Sequence, residues 1–536
     1  MSKSPIQSDY PTEFLEGLSL SQSLGETFIQ RAKEQKNKLC FADSMGREVS
    51  YKRALIGSLL LAKYFKELDM GPYVGVLMPS TVGGALANIS LTMMGKVTVN
   101  LNFTASVDVI NSAIAQSEIR YVVTSRVFME RLDIKIKTPH IIYLEDVMAE
   151  IQKKPLRKIG AALQALTLSP KKIMKKVGGQ GVQLDDVVTI IFSSGTTGDP
   201  KGVMLTHRQL MENVVSVLSI YPYEKNESFM GVLPFFHAFG YMATLWMPII
   251  MRITAVFHPD PRDAKTVGEM VLKYKTTFIL GTPTFYRLYE KVCKKVQFAS
   301  LKYAIAGAEK LHEIINERFE KKFGIPLLEG YGCTELGPAV AVNHPNEPNK
   351  INYKFGSVGR PLPNVEVKIL DPDTKAEVSA NEEGLVLVKS PALMKGYLKK
   401  KTDKVTKDGW YITGDIGKLD KEGFLYLTDR LERFSKIGGE MVPHMLIENT
   451  IKEALDFMRV VVVAVTDTNK GERLVVLYNH ETITVDDIHT ALIESTLPNL
   501  WRPKKTSIHL VDEIPLLGSG KINLTKAKDL ASKYDS

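Results

Sequence analysis

The chain has 536 residues, of which 44% are hydrophobic and 24% are charged, and its formal net charge is +9. This length favours more than one domain, and the composition is ordinary for a globular protein with a sizeable core. Its three cysteines, Cys40, Cys293 and Cys333, form no CxxC pair, which argues against a disulfide framework or a zinc site and fits a reducing cytosol.

We expect neither a secretory signal nor a membrane-spanning helix. The opening segment MSKSPIQSDYPTEF contains no apolar core. No stretch reaches the ~18 apolar residues of a spanning helix. The nearest, residues 235–251, is interrupted by His237 and Pro248, and we interpret it as a buried segment. A cytoplasmic protein is therefore expected.

Short β-branched segments alternate with helical patterns through the first two thirds of the chain. A helix is predicted over residues 82–94, and strands are predicted over residues 74–79, 97–102, 120–125, 276–283, 303–309 and 326–332. Strands separated by helices indicate parallel βαβ units. In such sheets ligands bind beyond the carboxyl ends of the strands, in the loops that follow them.

A basic segment lies between Glu150 and Asp185. It contains no acid, and one helical face is apolar because four aliphatic residues recur at i, i+3, i+7 and i+10: Leu156, Ile159, Leu163 and Leu166. Its cations are Lys153, Lys154, Arg157, Lys158, Lys171, Lys172, Lys175 and Lys176. Three interpretations stay open for residues 153–176: peripheral contact with the inner face of an anionic membrane, docking of an acidic carrier protein, or a solvated linker. Nucleic-acid binding is not expected, because no aromatic residues for base stacking are interleaved.

The stretch TIIFSSGTTGDPKGVMLTH, residues 189–207, has the composition of a polyphosphate site. Small residues after a strand let backbone N–H groups approach an anion, and hydroxyls and the Lys201 ammonium add donors. It is not a Walker A loop, because Pro200 precedes Lys201 and no Ser or Thr follows it. A tight turn would have a similar composition. The candidate phosphate-binding residues are Ser193, Ser194, Gly195, Thr196, Thr197, Gly198 and Lys201.

The sequence pattern changes after residue 350 from alternating strands and helices to short strands. The segments NVEVKIL, EEGLVLVKS and KEGFLYLTD indicate short strands of a β-rich subdomain. From about residue 429 a further unit is predicted, with a helix over 443–455, strands over 459–465 and 473–479, and a helix from Val485. The predicted fold is therefore α/β: a large domain of βαβ subdomains with a small β-rich subdomain, residues 1–429, and a small α+β domain, residues 430–536.

Five motifs together resemble the adenylate-forming superfamily of acyl-CoA synthetases, luciferases and peptide-synthetase adenylation domains. They are SSGTTGDPKGV, GYGCTE (330–335), YITGD (411–415), DRLERFSKIGGE (429–440) and GSGKI (518–522), in the order of the family. The resemblance implies ATP and Mg²⁺ as cofactors. It also implies two half-reactions, in which a carboxylate is joined to AMP and then transferred to a thiol.

The resemblance implies a role for each matching residue. Thr334 would hydrogen-bond the α-phosphate, Glu335 would hold Mg²⁺ together with Thr196, and Lys521 would bridge the carboxylate and the α-phosphate. Asp415 and Arg430 would contact the ribose. The remaining residues that it assigns to the nucleotide site are Gly307, Ala308, Glu309, Gly330, Tyr331 and Gly332.

Family members rotate the small domain between the two half-reactions, so we expect a mobile C-terminal domain. The hinge position corresponds to Glu432, and Lys436 matches a lysine that some members use in the second half-reaction. Three positions depart from the usual pattern, namely Asp429, Glu432 and Leu446. In addition Glu440 is an acid where several CoA-using members carry basic or polar groups, and it would be a poor partner for the phosphates of CoA.

The segment LPFFHAFGY matches the family's acyl-pocket region. It contains no Lys or Asp that could bind an amino acid's ammonium group, which favours a fatty acid as substrate. The candidate pocket residues are His237, Phe236, Phe239, Met242 and Trp246. Plain core packing would explain any single one of these apolar residues as well.

The whole chain is most similar to bacterial acyl-[acyl carrier protein] synthetases, through VTVNLNFTAS, RYVVTSRVF, AGAEKL and FSKIGGEMV. In particular it resembles the synthetase half of bifunctional acyltransferase–synthetases of phospholipid metabolism, without the acyltransferase motif. This implies the phosphopantetheine thiol of acyl carrier protein as acceptor. Two alternatives stay open: a fatty acyl-CoA synthetase that uses CoA, and a fatty-acid-binding protein that has lost its chemistry.

Overall fold

The computed structural model describes residues 21–193, 200–221, 226–348, 350–437, 440–457, 459–467, 471–516 and 522–534, without the side chains of residues 432, 436, 440, 441, 467 and 471. These residues divide into two compact units. The first contains the described residues up to Ser193, Pro200–Glu366 and Lys389–Asp403. The second contains Val367–Val388 and the described residues from Lys404 onward.

The first unit is built on two sheets. Its strands are β1 (Leu39–Asp43), β2 (Glu48–Ser50), β3 (Tyr73–Leu77), β4 (Val97–Asn100), β5 (Tyr121–Thr124), β6 (His140–Tyr143), β7 (Val187–Ser193), β8 (Lys201–Thr206), β9 (Ser228–Gly231), β10 (Thr254–Phe257), β11 (Phe278–Gly281), β12 (Tyr303–Ala306), β13 (Leu327–Gly332), β14 (Ala339–Val342) and β15 (Arg360–Pro361). After β16 (Glu366–Leu370) and β17 (Gly384–Lys389) of the second unit, the chain returns to the first unit as β18 (Gly396–Tyr397).

One sheet has seven strands in the order β18-β8-β7-β4-β3-β5-β6, and the other has nine in the order β15-β14-β13-β12-β11-β9-β10-β1-β2. The strands from β13 to β1 in the larger sheet pair in parallel, as do β7, β4, β3, β5 and β6 in the smaller one. The central strands are almost entirely buried, as expected of parallel strands covered on both faces. The predicted parallel βαβ units are confirmed.

Helices connect the strands of the first unit. They are α1 (Leu24–Glu34), α2 (Tyr51–Lys66), α3 (Val82–Met93), α4 (Val107–Gln116), α5 (Arg126–Leu132), α6 (Leu144–Gln152), α7 (Pro155–Thr167), α8 (Pro170–Val177), α9 (His207–Leu218), α10 (Ala238–Gly240), α11 (Met247–Met251), α12 (Ala264–Tyr274), α13 (Pro283–Val292) and α14 (Glu313–Phe323). The Thr81 hydroxyl accepts from Gly84 N–H at 3.2 Å and so caps α3 where the sequence predicted a helix start.

Residues 235–251, predicted to be a buried segment, form α10, a π-helical turn (Tyr241–Trp246) and α11. Every residue from Tyr241 to Met251 is buried, which confirms that prediction. Among the described residues, no helix is long and apolar enough to cross a membrane.

The second unit begins with a four-stranded sheet in the order β16-β17-β19-β20, where β19 is Tyr411–Leu419 and β20 is Leu425–Arg430. This sheet confirms the predicted β-rich subdomain. Asp429 at the end of β20 accepts from Met445 N–H at 2.7 Å, in the first turn of α15 (His444–Leu455). The predicted domain boundary at residues 429 and 430 falls inside this unit and stays a prediction.

The rest of the second unit is a small α+β fold. A hairpin of β21 (Phe434–Ile437) and β22 (Glu440–Pro443) precedes a three-stranded sheet of β23 (Val460–Asp467), β24 (Gly471–Tyr478) and β25 (Ile508–Leu510). Alternate residues of β23 point to opposite faces: Val460 and Val462 pack toward α15 and α16 (Val485–Glu494), whereas Val461 and Val463 pack toward α17 (Leu524–Ala531). The helices and strands predicted here are confirmed.

Candidate active site

The predicted site residues that follow β9, β12 and β13 lie at one edge of the nine-stranded sheet. Strands β9, β11, β12 and β13 are parallel neighbours. His237 follows β9, Gly307 follows β12, and the GYGCTE motif is the end of β13 and the turn after it. Segments that are about 100 residues apart in sequence therefore meet where ligands bind in α/β sheets.

Gly307 packs closely against a predicted pocket aromatic. A Cβ at Gly307 would lie 3.2 Å from Cε1 of Phe239 and 3.6 Å from the Gly330 oxygen. Ala308, the next residue, has a left-handed backbone with φ of 69°. The exposed Glu309 accepts from the N–H and the hydroxyl of Thr284, at 3.3 and 2.6 Å. Residues 307–309, which were predicted to belong to the nucleotide site, thus contact the predicted acyl-pocket region.

The GYGCTE motif turns sharply after β13. Gly332 has no room for a side chain, because a Cβ would lie 2.1 Å from the Pro338 oxygen on the returning chain. Tyr331 pairs with Ala341 of β14, and Thr334–Leu336 form a short 3₁₀ turn. Thr334 and Glu335 are consequently presented on the turn, half-buried.

Tyr397 joins two motifs that the sequence left separate. Its hydroxyl donates to Glu335 Oε1 at 2.8 Å, and the Lys201 Nζ lies 5.5 Å from the centre of its ring. Met394 N–H also donates to the Glu335 backbone oxygen, at 2.7 Å. Tyr397 was not predicted, because a Gly-Tyr pair in a two-residue strand has no distinguishing composition.

The phosphate-loop motif is framed by a hairpin of β7 and β8. Ser193 pairs with Lys201 in this hairpin, and its hydroxyl donates to the Lys201 backbone oxygen at 3.4 Å. The residues between them that were predicted to bind phosphate, Ser194, Gly195, Thr196, Thr197 and Gly198, lie outside the described residues. The predicted catalytic Lys521 also lies outside them.

The predicted acyl-pocket residues differ in burial. Phe236, Met242 and Trp246 are buried, Phe239 is half-buried and His237 is exposed. The ring of Phe236 stacks edge-on against Phe103 at 4.8 Å and lies 4.7 Å from the His237 ring. Phe103 is a further apolar contact in this region that the sequence did not indicate.

A buried carboxyl group lies under this edge of the sheet. Glu329 of β13 accepts from Leu311 N–H at 3.1 Å. Burial raises the pKa of Glu329 to about 7, because loss of hydration disfavours the carboxylate more than this hydrogen bond and Lys310 stabilise it. The Glu329 carboxyl group therefore changes its protonation state near neutral pH.

The second unit holds the predicted ribose-binding pair. Asp415 and Arg430 are paired across β19 and β20, and Arg430 Nε lies 3.1 Å from Asp415 Oδ1. Arg430 also donates to the Thr413 oxygen at 3.3 Å. Glu432 lies in a 3₁₀ turn and Lys436 in β21, but their side chains lie outside the described part of the chain.

The residues present fit a nucleotide-bound Mg²⁺. This ion is usually held by one or two carboxylates together with substrate phosphates rather than by a cage of protein ligands. Glu335 supplies one carboxylate, fixed by Tyr397. In the part of the chain that the structure describes, no group of three or more His, Cys, Asp or Glu residues could hold a metal ion by itself.

Comparison with known proteins identifies the family. The model of the AMP-binding enzyme family matches residues 28–398, well over half of the chain. The chain therefore belongs to the AMP-binding enzyme family, which confirms the resemblance to the adenylate-forming superfamily and the prediction of an adenine-nucleotide ligand.

Similar proteins include ligases for different acids. The long-chain-fatty-acid–CoA ligase of Salmonella typhimurium is 27% identical over 540 residues, covering 95% of each chain. The probable 4-coumarate–CoA ligase 2 of Dictyostelium discoideum is 28% identical over 491 residues, covering 86% of each chain. The solved structure of o-succinylbenzoate CoA synthetase (MenE) from Bacillus subtilis, in complex with the acyl-adenylate intermediate OSB-AMP, is 22% identical, with a TM-score of 0.77 over 95% of this chain and 98% of that one. The predicted fold class is confirmed.

Proposed function

We propose that this protein is an ATP- and Mg²⁺-dependent ligase that activates a fatty acid as its acyl adenylate and then transfers the acyl group to a thiol. The observation that carries the proposal is the contact of Tyr397 with both Glu335 and Lys201. It brings a carboxylate suited to Mg²⁺ and an ammonium suited to phosphate to one point at the carboxyl edge of the sheet.

In the first half-reaction a carboxylate oxygen of the acid attacks the α-phosphorus of ATP, and the bond to pyrophosphate breaks. Lys201 and the hydroxyls of residues 193–197 bind the phosphates, and Thr334 positions the α-phosphate. Lys521 stabilises the charge that develops on the transferring groups. When bound, Mg²⁺ neutralises charge on the phosphate oxygens.

In the second half-reaction the sulfur of the thiol attacks the acyl carbonyl, and AMP leaves with the electrons of the mixed-anhydride bond. The thiol proton passes to solvent. By the family resemblance, Asp415 and Arg430 contact the ribose throughout, and Lys436 takes part after rotation about Glu432. These roles are proposals that rest on the motifs.

A fatty acid is the acid that we propose. The rings that lie against Phe236 are those of Phe103 and His237, and the segment LPFFHAFGY contains no Asp or Glu that could bind an amino acid's ammonium. Similarity to a long-chain-fatty-acid–CoA ligase over 95% of both chains supports this choice. Similarity to a coumarate ligase makes an aromatic acid the competing substrate.

CoA is the acceptor that the relatives favour, although the sequence motifs favoured acyl carrier protein. Several relatives that align over most of the chain are named CoA ligases. We therefore propose CoA as the thiol, with acyl carrier protein as the alternative. Consumption of ATP and these soluble co-substrates makes the cytoplasm the proposed location.

Replacement of Lys521 tests the proposed chemistry. Lys521→Ala should lower fatty-acid-dependent ATP–pyrophosphate exchange at least ~100-fold, because one positioned charge in such a site is worth a few kcal/mol in the transition state. Binding of a fluorescent ATP analogue should stay within about threefold, since phosphate and ribose contacts are retained. The matched control is Lys526→Ala, an exposed lysine at the start of α17. Full exchange activity in the Lys521 variant would refute its role, and absence of AMP from the wild-type protein with every lipidic acid would refute the function.

A further inference from the structure

Helix α7 packs on the protein with its small residues. Ala161 and Ala165 are buried, and the helix lies against α2. The four aliphatic residues that form its apolar stripe face outward instead, with between 48% and 81% of their surface exposed: Leu156, Ile159, Leu163 and Leu166. A contiguous stripe of large aliphatic side chains that faces water is typical of an interaction surface.

Helix α8 shows the opposite arrangement. Ile173, Met174 and Val177 are buried and anchor it, and its four lysines are exposed. Three of them, Lys172, Lys175 and Lys176, line a groove of about 590 Å³ together with Lys63 and Lys66 of α2. Gln164 of α7 and Leu168, which directly follows α7, complete the lining. Five cations and no acid therefore face one concavity directly beside the apolar stripe.

The contacts around the groove show that its charges are close together. Lys66 Nζ donates to the Lys176 backbone oxygen at 3.0 Å. Burial, followed by the charges of Lys176 and Arg157, lowers the pKa of Lys63. None of the described acids lines the groove, and Glu67, which follows Lys66 in the chain, is paired with Arg157 at 2.8 Å. An anion in the groove would relieve this repulsion.

We propose that the apolar stripe of α7 and the lysine groove between α2, α7 and α8 form a docking site for an anionic phospholipid bilayer. The stripe inserts among the acyl chains, and the groove lysines bind headgroup phosphates at the interface. A bilayer offers both chemistries at adjacent depths, so it can occupy the apolar stripe and the groove lysines together. The site does not depend on the proposed enzymatic function.

Vesicle sedimentation with the full chain tests the proposal. The wild-type protein should bind vesicles of 30% phosphatidylglycerol in phosphatidylcholine at least ~10-fold more strongly than pure phosphatidylcholine, and 0.5 M NaCl should abolish the difference. Leu156→Gln with Leu163→Gln should weaken binding to anionic vesicles at least ~10-fold. Lys172→Gln with Lys175→Gln should reduce it toward the level on neutral vesicles.

Matched variants remove the same chemistry elsewhere on the first unit. Val292→Gln with Val296→Gln replaces two aliphatic residues that are 50% and 60% exposed, and Lys291→Gln with Lys295→Gln removes two exposed lysines. Both should bind vesicles as the wild type does. Equal binding by all variants, or by neutral and anionic vesicles, would overturn the proposal.

Two further measurements separate the other outcomes. An unchanged melting temperature shows that a variant is folded. Since the substituted leucines and lysines are all exposed, either the leucine pair or the lysine pair alone is sufficient to test membrane binding. If the variants keep vesicle binding but lose binding of holo acyl carrier protein, measured by fluorescence anisotropy, the surface docks a protein and the membrane proposal is wrong. Vesicle binding without any ATP–pyrophosphate exchange would instead refute the proposed function and leave the docking site standing.

Discussion

The Tyr397 hydroxyl positions Glu335, the carboxylate that we propose as a ligand of Mg²⁺. Tyr397→Phe keeps the ring near Lys201 but removes the donor to Glu335. A hydrogen bond to a charged group contributes ~1.5–3 kcal/mol, so kcat/KM for ATP–pyrophosphate exchange should fall about 10- to 150-fold. The loss should be partly recovered at high Mg²⁺, because the displaced carboxylate still binds the ion more weakly.

Tyr274→Phe is the matched control for this variant. It removes a tyrosine hydroxyl that donates to a carboxylate, Glu48, at 2.6 Å on the exposed surface of the same unit. Exchange activity should not change. If Tyr397→Phe retains full activity at every Mg²⁺ concentration, Tyr397 does not position Glu335.

Glu329 gives the first unit a pH dependence of stability with a defined sign. Its pKa is about 7 in the folded protein and near 4.5 in the unfolded chain, so ionisation above pH 7 costs the folded state up to ~3 kcal/mol. This cost disappears as pH falls from 7 toward 4.5. Glu329→Gln keeps an acceptor for Leu311 N–H and should therefore melt higher than wild type at pH 8 but alike at pH 5.

The contributions of the other titrating groups cancel when the melting temperature of the variant is compared with that of the wild type at the same pH. Glu317→Gln, an exposed carboxylate on α14, should show no such pH-dependent difference. If scanning calorimetry gives the same melting temperature for Glu329→Gln and the wild type from pH 5 to pH 8, ionisation of Glu329 does not destabilise the folded protein and the prediction is wrong.

At the scale of elements, Glu448 is a buried carboxylate that links α15 to its neighbours. Glu448 pairs with Arg433, lies 3.4 Å from Lys452 Nζ, and accepts from Val462 N–H of β23 at 2.7 Å. The Glu448 side chain is 1% exposed. The segment carrying the predicted hinge is thereby connected both to α15 and to β23, an edge strand of the three-stranded sheet.

Glu448→Ala should destabilise the second unit by ~3–5 kcal/mol, because it leaves two cations and a backbone donor without their buried partner. Hydrogen exchange should become faster in β23 and α15, while amides of the first unit keep their protection. Glu494→Ala on the exposed side of α16 should leave exchange unchanged. Unaltered protection in the Glu448 variant would show that apolar packing of Ile447 and Ile451 is sufficient.

Helices and strands could be predicted from the sequence where the pattern of apolar residues matches the burial in the structure. The apolar segments that became β3 and β12 are almost entirely buried, so composition alone identifies them. Strand β13 is buried only in its first half, where the apolar Leu327 and Leu328 lie. The π-helical turn over Tyr241–Trp246 was not foreseen, because its residues are buried all round and no periodicity distinguishes one helical form from another.

At the scale of the whole molecule, charge bears on the choice of thiol. The chain is basic, with a net charge of +9, and both CoA and acyl carrier protein are acidic, so charge does not separate them. With labelled fatty acid and Mg-ATP, we expect kcat/KM for thioester formation on CoA to exceed that on holo acyl carrier protein at least ~10-fold. Apo carrier protein is the control, since it lacks the thiol; thioester formed on the holo carrier alone would reverse the assignment.

The sequence by itself determined the chemistry of this protein. Five motifs in a fixed order specify nucleotide binding, because the residue types that bind phosphate, ribose and Mg²⁺ are few and their order follows the chain. The tertiary structure decided how they meet: Tyr397 lies between Lys201 and Glu335 only because β18 pairs with β8 beside the larger sheet. It also decided that the stripe of Leu156 and Leu163 faces water, since periodicity shows that a helix has an apolar face but not which neighbour that face meets.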